Sequence, residues 1–287
     1  MIDLAFSVLC SSLIFVVFKL FSRYKVNTLW AIITNYLVAC SCGLLLSPGY
    51  MGFAELVQKS WFLGTVFLGV LFIVIFNIMA RSSQVNGVCV TSVATKMSLV
   101  IPVIFAVQYY NERLSWAQLL GIGLALIAVY LASVKKEAHQ RNNSHLWLPF
   151  LVFLGSGIID TSIKFIQESY LDKSEYPIFS STVFGAAALS GVVFIGFTSK
   201  KDTPKLNVKS IIGGLCLGIP NYFSIFFLLR ALSHDTYNSS SIFTINNEAF
   251  VLFSTLLGIL LFRERLEIKN WLGVALSVIS IILVALF

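Results

Sequence analysis

Ten long apolar segments occupy most of this chain. A helix needs roughly 20 apolar residues to cross the hydrocarbon core of a bilayer, and each segment comes close to that length. Because backbone polar groups inside a bilayer must be satisfied within their own segment, each one predicts a transmembrane helix. The predicted spans are residues 2–21, 29–47, 61–80, 87–110, 116–134, 146–167, 177–197, 210–231, 237–262 and 270–287. The predicted fold class is an all-α integral membrane protein with ten transmembrane helices.

The composition excludes most classes of soluble protein. Of the 287 residues, 57% are hydrophobic and 11% are charged, whereas about a quarter of an average soluble domain is charged. The net charge of +7 arises from basic residues in gaps between apolar segments. Cytoplasmic loops of membrane proteins hold such residues, so no nucleic-acid partner is expected. The cysteine pair Cys40 and Cys42 lacks nearby histidines or carboxylates, and neither a metal nor a cofactor is expected.

An internal repeat divides the chain into two similar halves. The residues Glu-Arg-Leu at 112–114 recur at 264–266, 152 residues later. Other matches are Gly121 with Gly273 at an offset of 152, Gly64 with Gly213 at 149, and Lys19 with Lys164 at 145. Such drift is what two copies with different loop lengths would give. The predicted organisation is a first five-helix repeat at 1–134, a polar linker at 135–145 and a second repeat at 146–287.

Five spans per repeat means that the second copy enters the membrane from the opposite side. Inverted repeats of this kind are typical of secondary transporters, which bind substrate between the halves near the bilayer midplane. The segments NERLSWAQLLGIGLALIAVYLAS and FRERLEIKNWLGVALSVISIILVAL resemble the drug/metabolite transporter superfamily, in particular its EamA-like branch. That resemblance implies a central cavity lined by spans 1–4 and 6–9, with spans 5 and 10 outside. It also implies export or exchange of small metabolites, amino acids, drugs, sugar phosphates or nucleotide sugars.

Two oppositely charged residues lie deep within predicted spans. Lys96 and Glu248 are 152 residues apart and therefore occupy equivalent positions in the two halves. An ionisable group at mid-membrane costs about 2.5 to 3.5 kcal/mol even on a lenient scale, which favours a functional role. We expect the two side chains to approach each other across the cavity, Lys96 binding an anionic group and Glu248 a cationic group or a coupling proton. A structural salt bridge between the halves is the alternative.

Four further polar residues are candidates for substrate binding. Thr95 and Asn247 lie next to the charged pair, on the fourth and ninth spans. Asp160 stands four residues before Lys164, which allows either an ion pair within one helix or a second acid in the cavity. Asn35 is a lone amide in the second span, where it either contacts substrate or bonds to a neighbouring helix.

Two other features predict local structure. Ser115 and Gln118 have the spacing of a capping box, so the element that contains Glu112, and its repeat containing Glu264, are expected to start the last helix of each half and to pair charges at the interface. Pro102 and Pro220 interrupt the fourth and eighth spans, and each predicts a kink or a simple curvature of its helix, because proline removes a backbone donor.

The expected function is that of a multi-pass cell-membrane transporter, without enzymatic activity, that exports small polar metabolites such as amino acids by alternating access. A multidrug exporter, or an exporter or flippase of lipid-linked substrates, is the alternative within the same superfamily. The expected partners are a small-molecule substrate and the lipid bilayer, with a monomer and a homodimer both open. Basic residues concentrate in gaps after odd-numbered spans; the positive-inside rule would then place both termini outside, whereas many members of the resembled family have them inside.

Overall fold

The computed structural model describes residues 2–46, 52–110, 115–133, 147–172, 175–197, 206–232 and 239–286. These residues form twelve α-helices and no strand. The helices are α1 (Ile2–Tyr24), α2 (Thr28–Leu46), α3 (Phe53–Gln58), α4 (Phe62–Val85), α5 (Val88–Met97), α6 (Val100–Tyr110), α7 (Trp116–Ser133), α8 (Trp147–Tyr170), α9 (Tyr176–Phe197), α10 (Val208–Leu232), α11 (Ser239–Phe262) and α12 (Ile268–Leu286). The predicted linker at 135–145 and Glu112 lie outside the described residues.

The ten predicted spans correspond to these helices. Eight helical segments are long and apolar enough to cross a membrane, and the two shorter apolar helices Trp116–Ala132 and Ile268–Val284 complete the set. One of the eight, Val88–Phe105, comprises α5 and most of α6. The short helix α3 precedes the third span. The prediction of an all-α, multi-pass membrane protein is confirmed.

The fourth span is broken into two half-helices, and Pro102 explains the position of the break. A proline cannot donate a backbone hydrogen bond, and its ring clashes with the carbonyl four residues earlier, here that of Ser98. The backbone N–H of Ile101 donates to that carbonyl instead, at 2.9 Å. α5 therefore ends at Met97 and α6 begins at Val100. In contrast, α10 continues through Pro220.

The two halves interlock along most of their helices. α1 packs on α10 and α11, α2 on α9 and α10, α4 on α8 and α9, and α5 on α8 and α11. α7 and α12, the last helix of each half, pack on each other. The equivalent glycines Gly121 and Gly273 permit this approach. A Cβ at Gly121 would lie 2.7 Å from Val284 Cγ2, and one at Gly273 would lie 2.6 Å from the Ala132 nitrogen.

Side-chain caps begin the last helix of each half. The Ser115 N–H donates to Gln118 Oε1 at 2.9 Å, and the Gln118 N–H donates to Ser115 Oγ at 3.1 Å. The predicted capping box is thus present. At the equivalent place before α12, the Glu267 N–H donates to Asn270 Oδ1 at 2.9 Å. Asn270 also donates through Nδ2 to the Ala132 carbonyl at 2.9 Å, which ties α12 to α7.

Ion pairs join the halves at both ends of the helix bundle. At one end, here called the Glu175 end, Lys59 Nζ lies 2.8 Å from Glu175 Oε1, and Trp61 Nε1 donates to Glu175 Oε2 at 3.1 Å. At the other, here called the Glu264 end, Lys19 Nζ lies 3.8 Å from Glu264 Oε1. The described basic residues that follow odd-numbered spans lie at the Glu264 end; they are Arg23, Lys25, Arg81, Lys209, Arg263, Arg265 and Lys269.

Candidate substrate site

A central cavity of about 320 Å³ lies between the two halves. Among the described residues, its lining comes from α1, α4, α5, α8, α10 and α11 and from the break after α5, so each half contributes three spans. The second and seventh spans, α2 and α9, contribute no described lining residue. The family resemblance, in contrast, implies that all eight spans 1–4 and 6–9 line the cavity. The polar lining residues are Ser11, Thr95, Lys96, Ser156, Asp160 and Asn247.

Lys96 lies in the last turn of the half-helix α5 and faces this cavity. Its Nζ atom is 4.7 Å from the centre of the Phe250 ring, a cation–π distance. The unpaired carbonyls at a helix C terminus favour a positive charge, so the break after α5 provides a favourable place for this lysine. Its acidic neighbour is Asp160, which attracts it from α8. No hydrogen bond or ion pair to Lys96 occurs among the described residues.

Asp160 is exposed although it lies in the middle of a transmembrane helix. Since it lines the cavity, this exposure means that the cavity is open. Ser98 Oγ donates a long hydrogen bond of 3.4 Å to Asp160 Oδ2. The ion pair with Lys164 that the sequence allowed is not formed. Lys164 Nζ lies 3.9 Å from Glu168 Oε1 instead, and Asp160 is the acidic residue among the described lining of the cavity.

Glu248 does not pair with Lys96 in the described structure, and this corrects the expected encounter. Glu248 Oε1 is buried and has no hydrogen-bond partner among the described residues. Thr255 Oγ1 donates to Cys89 Sγ at 3.4 Å, which fixes the register of α11 against α5. Lys96 lies seven residues after Cys89 on α5, and Glu248 lies seven residues before Thr255 on α11, so each is about two helical turns from this contact. The Lys96 ammonium lies over Phe250 rather than against Glu248.

The remaining predicted residues divide into two groups. Thr95 and Asn247 line the cavity, from α5 and α11. Asn35 does not: it is fully buried, and its Oδ1 accepts a hydrogen bond of 3.1 Å from Asn221 Nδ2. Of the two roles considered for Asn35, the structure forms the bond between helices, here α2 and α10.

Comparison with known proteins gives the family. The sequence profile of the EamA-like transporter family matches residues 2–134 and again residues 143–286. The chain belongs to the EamA-like transporter family. The resemblance to the drug/metabolite transporter superfamily is thereby confirmed, and this protein is a multi-pass membrane transporter of small solutes.

Two individual comparisons agree with this assignment, but neither names a substrate. A protein of Haemophilus influenzae, described as uncharacterized, is 29% identical to this EamA-like transporter over 288 residues, covering 97% of this chain and 96% of the relative. A solved structure described only as a crystal structure of a protein aligns with a TM-score of 0.61 at 14% identity, over 98% of this chain and 96% of that one. At that identity the likeness shows the fold alone.

The cavity of this EamA-like transporter repeats across the two halves. Five pairs of lining residues stand at the repeat offsets: Ser11 with Ser156, Ile14 with Ile159 and Phe15 with Asp160 at 145 residues, Phe76 with Ile225 at 149, and Thr95 with Asn247 at 152. Each pair contributes one residue from each half. The cavity therefore lies on the pseudo-two-fold axis, where transporters with inverted repeats bind their substrates.

An aromatic side of the cavity was missed by sequence reasoning. The rings of Phe15 and Phe250 meet edge-to-face at 5.4 Å. Their repeat equivalents, at offsets of 145 and 152, are Asp160 and Ser98, which form the hydrogen bond described above. The repeat equivalent of the Ser98–Asp160 hydrogen bond is thus the aromatic contact between Phe250 and Phe15. The repeat offsets, applied to Asp160, would have found Phe15.

Proposed function

We propose that this protein is a secondary transporter of small zwitterionic metabolites such as amino acids, working by alternating access around the central cavity. The observation that carries the proposal is that Lys96 and Asp160 face one open cavity at mid-membrane without forming an ion pair. A cation and an acid kept apart in this way suit a ligand that carries both charges. The cavity volume of about 320 Å³ is at the small end of the range for ligand pockets.

Each side of the cavity has a proposed role in binding. Lys96 binds the substrate carboxylate, and Asp160 binds its ammonium group. Thr95 and Asn247, which lie beside the charged positions, donate and accept further hydrogen bonds. The aromatic contact of Phe15 with Phe250 provides an apolar surface for the substrate side chain.

Glu248 is proposed to carry the coupling proton. Its buried Oε1 lacks a partner in the described structure, and an ionised carboxylate in such a place is costly. Glu248 is therefore proposed to be protonated in the conformation described here. When the halves rearrange, the same carboxyl meets water or Lys96 and releases its proton. A group that changes protonation between two states couples proton binding to their populations.

Export across the cell membrane is the proposed direction and location. By the positive-inside rule, the basic loops at the Glu264 end face the cytoplasm, which would place both termini outside. Since Phe18 and Phe21 are buried between the cavity and that end, this conformation is proposed to be closed toward the cytoplasm.

The test is counterflow in proteoliposomes, with a metabolite library and mass-spectrometric detection. Wild-type protein is expected to exchange one or more zwitterions. The exchange rate of Lys96→Ala should be lower by about tenfold or more, as expected when one charged contact is removed. Lys209→Ala, which removes an exposed lysine at the start of α10, is the matched control. Wild-type exchange by Lys96→Ala would contradict the proposed site.

An exporter or flippase of lipid-linked substrates is the second candidate. A separate crevice of about 480 Å³ lies between α1 and α11 and is lined by apolar side chains, among them Leu4, Val8, Ile245 and Phe253. Such a crevice suits an acyl chain more than a polar metabolite. A substitution that fills it, Ala249→Trp, would abolish transport of a lipid-linked substrate but leave zwitterion exchange near the wild-type rate.

A further inference from the structure

Glu264 caps a helix that belongs to the other half of the molecule. The Val88 N–H donates to Glu264 Oε1 at 2.8 Å, and the Cys89 N–H donates toward Oε2 at 3.4 Å. Both donors are in the first turn of α5, where backbone N–H groups have no partner within the helix. The carboxylate also complements the positive end of the helix dipole. From the sequence, Glu264 is expected to help start the last helix and to pair charges at the interface; its cap on α5 is a contact with the other half.

Lys19 adds a second connection to this cap. Its Nζ atom lies 3.8 Å from Glu264 Oε1 and also donates to the Gln84 carbonyl at 3.0 Å. The side chains of Lys19 and Glu264 are only 21% and 13% exposed. The Glu264 carboxylate thus joins α1, α5 and the segment after α11.

Two glycines leave the space that the carboxylate occupies. Gly87 has a φ of +106°, and a Cβ there would lie 2.8 Å from Glu264 Oε1. A Cβ at Gly258 would lie 2.7 Å from Oε2. A polar cavity of about 440 Å³, lined in part by Asn86 and Arg265, adjoins the same carboxylate. Water in that cavity would solvate the carboxylate once it leaves the helix.

The capped helix is also the one that carries Lys96. Lys96 lies eight residues after Val88, or about 12 Å along the helix axis. Since α5 ends at the break before α6, its ten residues form a short rigid unit held at the far end by the cap. We propose that Glu264 is a positioning residue for Lys96: it latches α5 in the orientation described here, and release of the latch opens the Glu264 end. The part of this inference that concerns Lys96 rests on the proposed function.

A native cysteine provides a test that does not depend on transport. Cys89, in the first turn of α5, is fully buried, while Cys216 on α10 is exposed. The full-length protein in detergent is treated with N-ethylmaleimide, and modification of each cysteine is followed by peptide mass spectrometry. Cys216 lies within the apolar span Val208–Leu228 and faces detergent, so the reactive reference is Cys89 itself in protein unfolded with SDS. In native wild type, Cys89 is expected to stay unmodified over the same time.

Loss of the latch should expose Cys89 selectively. Glu264→Ala and Glu264→Gln are expected to raise the rate at Cys89 by about tenfold or more, since labelling follows the population of the open form. Lys19→Gln should raise it less. Arg23→Gln, which removes an exposed cation from the last turn of α1, is the matched control and should leave the rate unchanged.

Two results would overturn the latch. One is a wild-type rate at Cys89 in Glu264→Ala; the other is an equal rise at Cys10 and Cys40, which would indicate general loosening. Failure of the proposed function is separately visible. If Lys96→Ala exchanges zwitterions normally while Cys89 responds to Glu264→Ala, the latch stands and the role of Lys96 in substrate binding does not.

Discussion

Lys96 and Asp160 face the same cavity from opposite halves of the transporter, and they attract each other without forming an ion pair. A closed buried pair rarely adds stability over apolar residues of similar size. When two charges are held apart in an open cavity, each can still bind an oppositely charged group of a ligand. Their arrangement is asymmetric, because the repeat equivalent of Asp160 is Phe15. A zwitterion would therefore bind in one preferred orientation.

Asp160→Asn should change which ligands are transported. The amide keeps the shape of the side chain but loses the charge that binds an ammonium group. We expect exchange of zwitterions to fall by about tenfold or more, in line with the energy of a charge-assisted hydrogen bond. Exchange of analogues that lack the amino group should be affected much less. Counterflow with matched pairs of such analogues measures both rates.

The control for Asp160→Asn is Glu168→Gln, which removes a carboxylate from the same helix, α8, but outside the cavity. It should leave both rates unchanged. An equal loss for zwitterions and for analogues without the amino group would argue against an ammonium site at Asp160.

Glu248→Gln should separate exchange from proton coupling. Glutamine cannot titrate, so net transport driven by a pH gradient should be lost while substrate counterflow continues. A pH-sensitive dye inside the vesicles records proton movement in parallel with substrate flux. Because Glu248 Oε1 has no described hydrogen bond to lose, the variant should also keep its Tm. Proton movement at the wild-type rate in Glu248→Gln would exclude this residue as the coupling group.

The Lys59–Glu175 contact should make stability depend on pH. Its hydrogen bond raises the pKa of Lys59 and lowers the pKa of Glu175 relative to their ordinary values. The depressed Glu175 pKa contributes stability that is lost as pH falls through the folded-state value, and the raised Lys59 pKa contributes stability that is lost as pH rises through its own. The contact is therefore stabilising at neutral pH.

Glu175→Gln measures this contribution. We expect a drop in Tm of no more than a few degrees at pH 7, since ion pairs near the protein surface contribute little. The difference from wild type should vanish at pH values where Glu175 is protonated in both states. Thermal unfolding in detergent across a pH series gives the comparison, with Glu168→Gln, which removes an exposed carboxylate outside this contact, as the control. A constant difference at every pH would point to lost packing around Trp61.

Close packing of α7 on α12 should make Gly273 sensitive to substitution. A Cβ at Gly273 would lie 2.6 Å from the Ala132 backbone nitrogen, which cannot move aside as a side chain does. Gly273→Ala is expected to lower stability by about 1–3 kcal/mol, the usual cost of overpacking. Gly123→Ala, on α7 with no neighbour within 4 Å of the new Cβ, is the matched control. Unchanged Tm for both variants would contradict the packing described.

The sequence was sufficient for the spans, the repeat and much of the cavity lining. Apolar length predicts a helix wherever a bilayer surrounds it. Thr95 and Asn247, which were candidates because they stand beside the charged pair, both line the cavity. The repeat offset did not predict that Lys96 would have Asp160 as its acidic neighbour. A repeat offset gives equivalent positions, whereas the direction of a long side chain depends on local space, and Phe250 occupies the place equivalent to Ser98.

Contacts between distant segments were the other part that sequence reasoning missed. Glu264 is 176 residues from Val88, and no local pattern relates a carboxylate in one half to the first turn of a helix in the other. The contact of Trp61 with Glu175 could not be predicted from the sequence either. A tryptophan at the start of a span is typical of the lipid interface, yet Trp61 is buried and donates to Glu175.

The interruption at Ser98 has no counterpart in the second half. α11, which is equivalent to the fourth span, continues without a break from Ser239 to Phe262, and the residue equivalent to Pro102 is Ser254. Duplication has thus yielded one helix with a hinge and one continuous helix on either side of the cavity. In the proposed alternating access the two halves should therefore deform unequally, with the larger bend at the break after α5.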